Sequence, residues 1–208
     1  MTLQLAKRKR ENTVRILIAA SAEVFADKGV AGATVDDLVV AAGFTRGAFY
    51  SNFSSKEEVF SAALQKFTED LVDAMQSGIE ESAPESTPQD SVRSILESIR
   101  PLGRVWVLLE AEGVRQALLD EQVKTVYLES RDYLQRALIS TLQEATDTPL
   151  ADFPADMLPH LAAMLLNAYS DALIRELLTG EDSTERLVEL VDQILFQEAP
   201  RPGQAPAD

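Results

Sequence analysis

The spacing of apolar residues constrains this chain most. They recur at intervals of three and four almost everywhere and alternate with period two over no useful length. That pattern excludes a sheet and predicts an all-α fold of about nine helices. Val14 to Lys28 places Leu17, Ala20, Val24 and Phe25 on one face, with Gly29 as a C-terminal cap. Thr34 and Asp37 form a capping box for a helix over Val35 to Ala42, Gly43-Phe44 makes a tight turn, and Thr45 caps a short helix through about Asn52. Ser55 with Glu58 opens a longer helix from Lys56 to about Gln76, and Ser77 to Gln89, holding Gly78, Pro84 and Pro88, reads as a loop. Helical patterns then cover Asp90 to Ile99, Arg104 to about Leu118, Glu121 to Ala145, Ala155 to Thr179 and Ser183 to Gln197, and the proline-rich tail from Pro200 reads as disordered.

Charge divides the same chain in two. The net charge is -15, and taken whole it argues against nucleic acid, because phosphates repel an acidic surface. Taken by parts, residues 1–60 hold eight Lys/Arg against seven Asp/Glu, whereas residues 61–208 hold eleven against twenty-seven. Phe25, Phe44, Phe49, Tyr50, Phe53, Phe60 and Phe67 crowd the first 70 residues and indicate an N-terminal unit with its own aromatic core. The absence of cysteine excludes disulfides, thiolate metal sites and a cysteine nucleophile, and a reducing compartment is the natural home. Met1 to Asn12 carries Lys7, Arg8, Lys9 and Arg10 without the apolar region of a secretory signal. No apolar run approaches the roughly 20 residues of a membrane helix, so the expected location is cytoplasmic.

The informative stretch is Thr34 to Lys56, TVDDLVVAAGFTRGAFYSNFSSK, two short helices around Gly43 in the outline of a helix-turn-helix. Phe49 and Phe53 are four apart and face the core. Thr45, Arg46, Gly47, Tyr50, Ser51 and Asn52 then cover the other faces, a set without a carboxylate that can approach phosphate. Arg46 suits a guanine edge or a phosphate, Asn52 an adenine, and Gly47 a close backbone approach. Tyr50, Thr34, Ser51 and Lys56 suit phosphate, with amide donors at the helix starts Thr34 and Ser55. On spacing alone, a small helical subdomain with a polar surface fits equally.

Ile16 to Phe60, ILIAASAEVFADKGVAGATVDDLVVAAGFTRGAFYSNFSSKEEVF, resembles the DNA-binding domain of the TetR family of transcriptional regulators without a gap. The resemblance rests on the Ile-Leu-x-x-Ala start, Phe25, Gly29, Thr34, Ala41-Ala42-Gly43, Gly47, the Tyr50-x-x-Phe53 pair and Ser55-Lys56-Glu57. Phe44 stands where the family more often has valine and Asn52 where histidine is common, differences that bear on the operator sequence. The resemblance implies a homodimer with two reading heads on successive major grooves of a palindromic operator, and a helical C-terminal domain through which a small molecule releases a repressor from DNA. The implied organisation is a basic arm over 1–12, a DNA-binding domain over 13–60, a ligand-binding and dimerisation domain over 61–198 and a tail over 199–208. The arm would reach the DNA backbone or minor groove; a disordered solubilising tail is the other reading.

In the C-terminal half, Ala155 to Thr179 is apolar on most of its circumference and so must be buried on more than one side. With the final helix it suggests a four-helix dimer interface through Leu165, Leu173, Leu187, Val191, Ile194 and Leu195; completion of the monomer core is the other reading. Three stripes at helical spacing are candidate pocket walls: Trp106, Leu109, Glu110 and Gly113; Tyr127, Arg131 and Leu134; and His160, Met164, Asn167 and Asp171. Glu110 and Glu112 favour a cationic ligand. His160 is the sole histidine, and no phosphate-binding glycine loop or nucleophile elbow is present, so no metal, cofactor or enzyme activity is expected. A ligand-released repressor is the leading expectation; the alternative is a DNA-bound dimer that recruits a protein partner.

Overall fold

In a computed structural model that describes residues 2–81, 86–146 and 156–195, every regular element is helical. The order is α1 (Thr2–Gly32), α2 (Val35–Ala42), α3 (Arg46–Tyr50), α4 (Lys56–Glu80), α5 (Pro88–Ile99), a 3-10 turn (Arg100–Leu102), α6 (Gly103–Ala117), α7 (Glu121–Thr146), α8 (Leu158–Thr179) and α9 (Thr184–Leu195). The all-α expectation holds. Boundaries moved: α4 runs on to Glu80 and α5 starts at Pro88, both inside the stretch expected as loop, and α1 also differs. The N-terminal residues expected as an arm continue α1 back to Thr2, although the side chains of Lys7, Arg8 and Lys9 lie outside the described residues. Gly29 ends the regular helix where its cap was expected, at a positive φ of 65 with an extended ψ of 168, and a further turn follows to Gly32.

The chain divides into two compact units interleaved in sequence: residues 1–74 with 99–134, and residues 75–98 with 135–208. Helices α4 and α7 each run through both. The core of the first unit is aromatic at one end, where Phe25 meets Phe60 edge to face at 5.5 Å between buried rings. Leu17, Leu38, Phe49, Leu64, Leu109 and Leu134 are buried with them.

The second unit is built on a cluster of Val92, Leu142, Leu161, Leu165, Val188 and Val191, with Ile194 packed against it. Helix α8 buries Leu161, Ala162, Leu165, Leu166, Tyr169, Ala172 and Leu173 on one face. Its opposite stripe is exposed and largely apolar: Met157, His160, Met164, Asn167, Asp171, Ile174 and Leu178. Gln89 to Asp192, and Arg93 to Glu185 in a bidentate pair, tie α5 to α9. The tail over 199–208 lies outside the described residues. No described helix is long and apolar enough to cross a membrane.

Candidate nucleic-acid interface

The reading helix is positioned by two caps and one glycine. Thr34 accepts from the Asp37 amide while the Asp37 carboxylate accepts from the Thr34 amide at 2.9 Å and hydroxyl at 2.7 Å, the reciprocal box that starts α2. Gly43 ends α2 in the left-handed conformation at φ 70 and ψ 31, where a side chain other than that of glycine or asparagine is strained. Thr45 then caps α3 through the Ala48 amide. Phe49 and Phe53 are buried under α3 and hold it to the core. Tyr50 stands edge-on to Phe49 at 5.2 Å and remains 61% exposed, so the ring that anchors and the ring that reaches out are neighbours in sequence.

Thr34, Thr45, Arg46, Gly47, Tyr50 and Ser51 are all exposed on this head, and Asn52 is half-buried. Several are already engaged. Arg46 donates twice to Asp36, from Nε and Nη2 at 2.5 Å each, so a carboxylate ten residues back in the chain reaches the face expected to lack one. That hydrogen bond from Arg46 holds the Asp36 carboxyl below its ordinary range. Both partners are exposed, and such a pair exchanges readily for another anion. Asp37 is held still lower by Lys28, at 2.6 Å, and by Thr34. Ser51 donates its hydroxyl to Gly47 O at 2.7 Å.

Asn52 is engaged within the head in the absence of DNA. Its Nδ2 donates to Ala48 O at 2.7 Å and its Oδ1 accepts from Arg10 at 2.9 Å, which uses both ends of the amide that a bidentate contact needs. Lys56 is likewise diverted. Its half-buried ammonium donates to Val30 O at 2.8 Å and Ala33 O at 2.6 Å, satisfying carbonyls that the end of α1 leaves without helical partners. Two of its three donors are therefore spent inside the head. At the start of α4 the capping box is offset: Ser55 accepts from the Glu58 amide, but the Glu58 carboxylate takes the amide and hydroxyl of Ser54.

Sequence reasoning missed three features here. Arg10 reaches the end of α3, a contact across 42 residues. Val40, on α2, is 77% exposed beside the reading helix. The third feature is Glu112 on α6, whose Oε1 accepts from the Val30 amide at 2.8 Å while Arg115 and Gln116 also donate to its carboxylate. Burial pushes the Glu112 carboxyl up, but the hydrogen bonds from Arg115, Gln116 and Val30 outweigh it and hold the group below its ordinary range. One peptide residue, Val30, is thus held at its carbonyl by α4 and at its amide by α6.

The candidate ligand residues separate. Tyr127 donates to Glu110 at 2.8 Å, Arg131 pairs with the same carboxylate, and Arg131 lies 6.0 Å from the centre of the Tyr127 ring. Trp106 is buried. Glu110 and Glu112 are consequently neutralised from within the fold, which removes the reason for assigning a cationic ligand to them. His160, Met164 and Asn167 lie on the outward stripe of α8, away from the core, and the His160 ring pairs with Asp156 O. Of the candidate dimer residues, Leu165 and Val191 belong to the core cluster of the second unit, Leu173 and Leu187 are buried, and Ile194 is partly buried. The side chain of Leu195 lies outside the described residues. Among the described residues no group of three or more acidic, histidine or cysteine side chains could hold a metal ion.

Comparison with known proteins agrees with the geometry. Residues 17–63 match the profile of the bacterial regulatory proteins, tetR family. The chain is 27% identical over 182 residues to the HTH-type transcriptional repressor DhaR of Mycobacterium sp. (strain GP1), covering 86% of each protein. It is 27% identical over 199 residues to the HTH-type transcriptional regulator TtgR of Pseudomonas putida, covering 87% of each. Among solved structures, reduced NemR of E. coli superposes with a TM-score of 0.67 at 18% identity, over 91% of this chain and all of that one, a likeness of fold.

Proposed function

We propose that this chain, a TetR-family DNA-binding transcriptional regulator and not an enzyme, represses from a palindromic operator as a cytoplasmic homodimer and is released by a small-molecule ligand bound in its C-terminal half. The observation that carries the proposal is the double hold on Val30. Lys56 grips its carbonyl from α4 and Glu112 its amide from α6, so a shift of either helix is passed to the end of α1 on which α2 and α3 are built. A coupling of about 1–3 kcal/mol through such a joint changes operator affinity roughly 5- to 150-fold.

The heads of two subunits would lie about 34–36 Å apart, one turn of the duplex. The outward stripe of α8, with Met157, Met164, Ile174 and Leu178 exposed, supports a dimer interface better than the buried leucines do. On DNA, Arg46 exchanges Asp36 for a base edge or phosphate, and Thr34, Thr45, Tyr50 and Ser51 contact the backbone around it, with Gly47 admitting close approach. Lys56 has one donor left for the same purpose.

The test is selection of bound duplexes from a random pool, followed by fluorescence anisotropy on the selected site with and without a library of small molecules. Palindromic sites and at least one compound that lowers affinity are expected. Sites lacking two-fold symmetry, or an affinity that no compound alters, overturn the proposal. Ile174→Asp with Leu178→Asp should give a monomer in sedimentation and abolish tight operator binding.

A further inference from the structure

A groove of about 590 Å³ runs between α4 and α7 within the first unit, lined by Gln65, Thr68, Glu69, Asp73, Val126, Glu129, Ser130 and Tyr133. We propose that it binds a protonated organic amine with an aromatic or apolar flank. The volume falls in the range of small-molecule sites. Three carboxylates, Glu69, Asp73 and Glu129, line it and no cation does; the nearby Lys66 is paired with Asp70.

Acidic lining alone would be an ordinary solvated surface. The second observation is Ser130, which is only 8% exposed, lines the groove, and makes no hydrogen bond among the described residues. The hydroxyl opens on the groove with no protein partner among the described residues, so a ligand polar group can take the place of water there. The Tyr133 ring, partly exposed at the same wall, offers the π-face that attracts ammonium ions. The combination asks for a cation that keeps an N–H, which sets a protonated amine above a quaternary ammonium.

The groove is also well placed to act. Its α4 wall continues back to Lys56, which holds the Val30 carbonyl. On the next face of its α7 wall are Tyr127 and Arg131, which hold Glu110 of α6, and α6 in turn holds the Val30 amide through Glu112. A ligand that spreads α4 from α7 therefore loads both holds on one residue. This consequence rests on the reading of the protein as ligand-released; the binding itself does not.

The experiment is calorimetric titration of the full-length protein with tryptamine, its alcohol tryptophol, its carboxylate indoleacetate and its trimethylated ammonium form, followed by operator anisotropy with the same four compounds. Tryptamine should bind at least about tenfold more tightly than the other three, the margin expected for one hydrogen bond to a charged group. Ser130→Ala and Glu129→Gln should each weaken tryptamine by a similar factor without altering the circular dichroism of the protein. Equal affinity for all four compounds, no binding of tryptamine in the millimolar range, or tryptamine affinity indifferent to both substitutions overturns the assignment. Tryptamine binding with the stated variant sensitivity but unchanged operator affinity upholds the site and overturns release through it.

Discussion

Removing the Glu112 side chain tests the joint at Val30 directly. Val30 is 1% exposed, so Glu112→Ala leaves its amide buried with no acceptor, a loss of about 1–3 kcal/mol. Arg115 is half exposed and turns to water at little cost, while alanine regains a few tenths through helix propensity. For a chain of this length each kcal/mol moves Tm by about 2–4 °C, so calorimetry should record a fall of about 2–12 °C at neutral pH. Glu112→Gln keeps an acceptor for the amide and should recover at least half of that fall. The pH dependence has a definite sign. The folded Glu112 carboxyl is held below its ordinary value of 4.5, so its contribution is fully present above 4.5 and is lost as pH drops through the lowered value. The gap between wild type and Glu112→Gln should thus be constant near neutrality and close in acid. An alanine variant as stable as wild type, or a glutamine variant no better than alanine, would refute the reasoning.

Three other perturbations follow from single contacts. Asp36→Asn removes the carboxylate that competes for Arg46, so duplex binding should tighten and the slope of log K against log salt should steepen by up to about 0.9, the increment for one more uncompensated cation at the phosphates; unchanged affinity and slope in anisotropy titrations exclude Asp36 as the competitor. Gly43→Asn should be nearly neutral, because φ 70 and ψ 31 suit asparagine and the site is open, whereas Gly29→Asn at φ 65 and ψ 168 should cost on the order of 1–3 kcal/mol; equal Tm values for the two variants would show the backbone argument to be mistaken. Ser21 is fully buried and its hydroxyl has no partner, so Ser21→Ala should stabilise by about 1 kcal/mol in urea denaturation, and a loss of stability would mean that the hydroxyl is in fact satisfied.

The fold was legible because helices announce themselves locally. Period, caps and breakers lie within a few residues of what they specify, so Thr34, Asp37, Gly43 and Thr45 could be placed on α2 and α3 without any tertiary knowledge. Their face was harder to read, because a side chain's partner is a tertiary fact. Nothing in the spacing says that Arg46 will fold back on Asp36, that Arg10 will find Asn52, or that Glu112 will reach across 82 residues to Val30. The same limit explains α8. A helix apolar on most of its circumference does not reveal which side meets its own subunit, and here Leu165 and Leu173 turn inward while Met164 and Ile174 turn out.

Those hidden pairings change how the net charge bears on DNA. The head is near neutral by count, yet Lys28 is paired with Asp37, Arg46 with Asp36, and Lys56 with backbone carbonyls. Its long-range attraction for phosphate is the small one that this near-neutral count gives, and the acidic residues beyond position 60 weaken it further; what the pairings withhold are donors at short range. Release of Arg46 from Asp36 is rewarded only where a well-placed acceptor waits, which disfavours random duplex more than the operator. On the proposed reading, specificity would come from the carboxylate that occupies Arg46 when no operator is present, and not from an excess of positive charge.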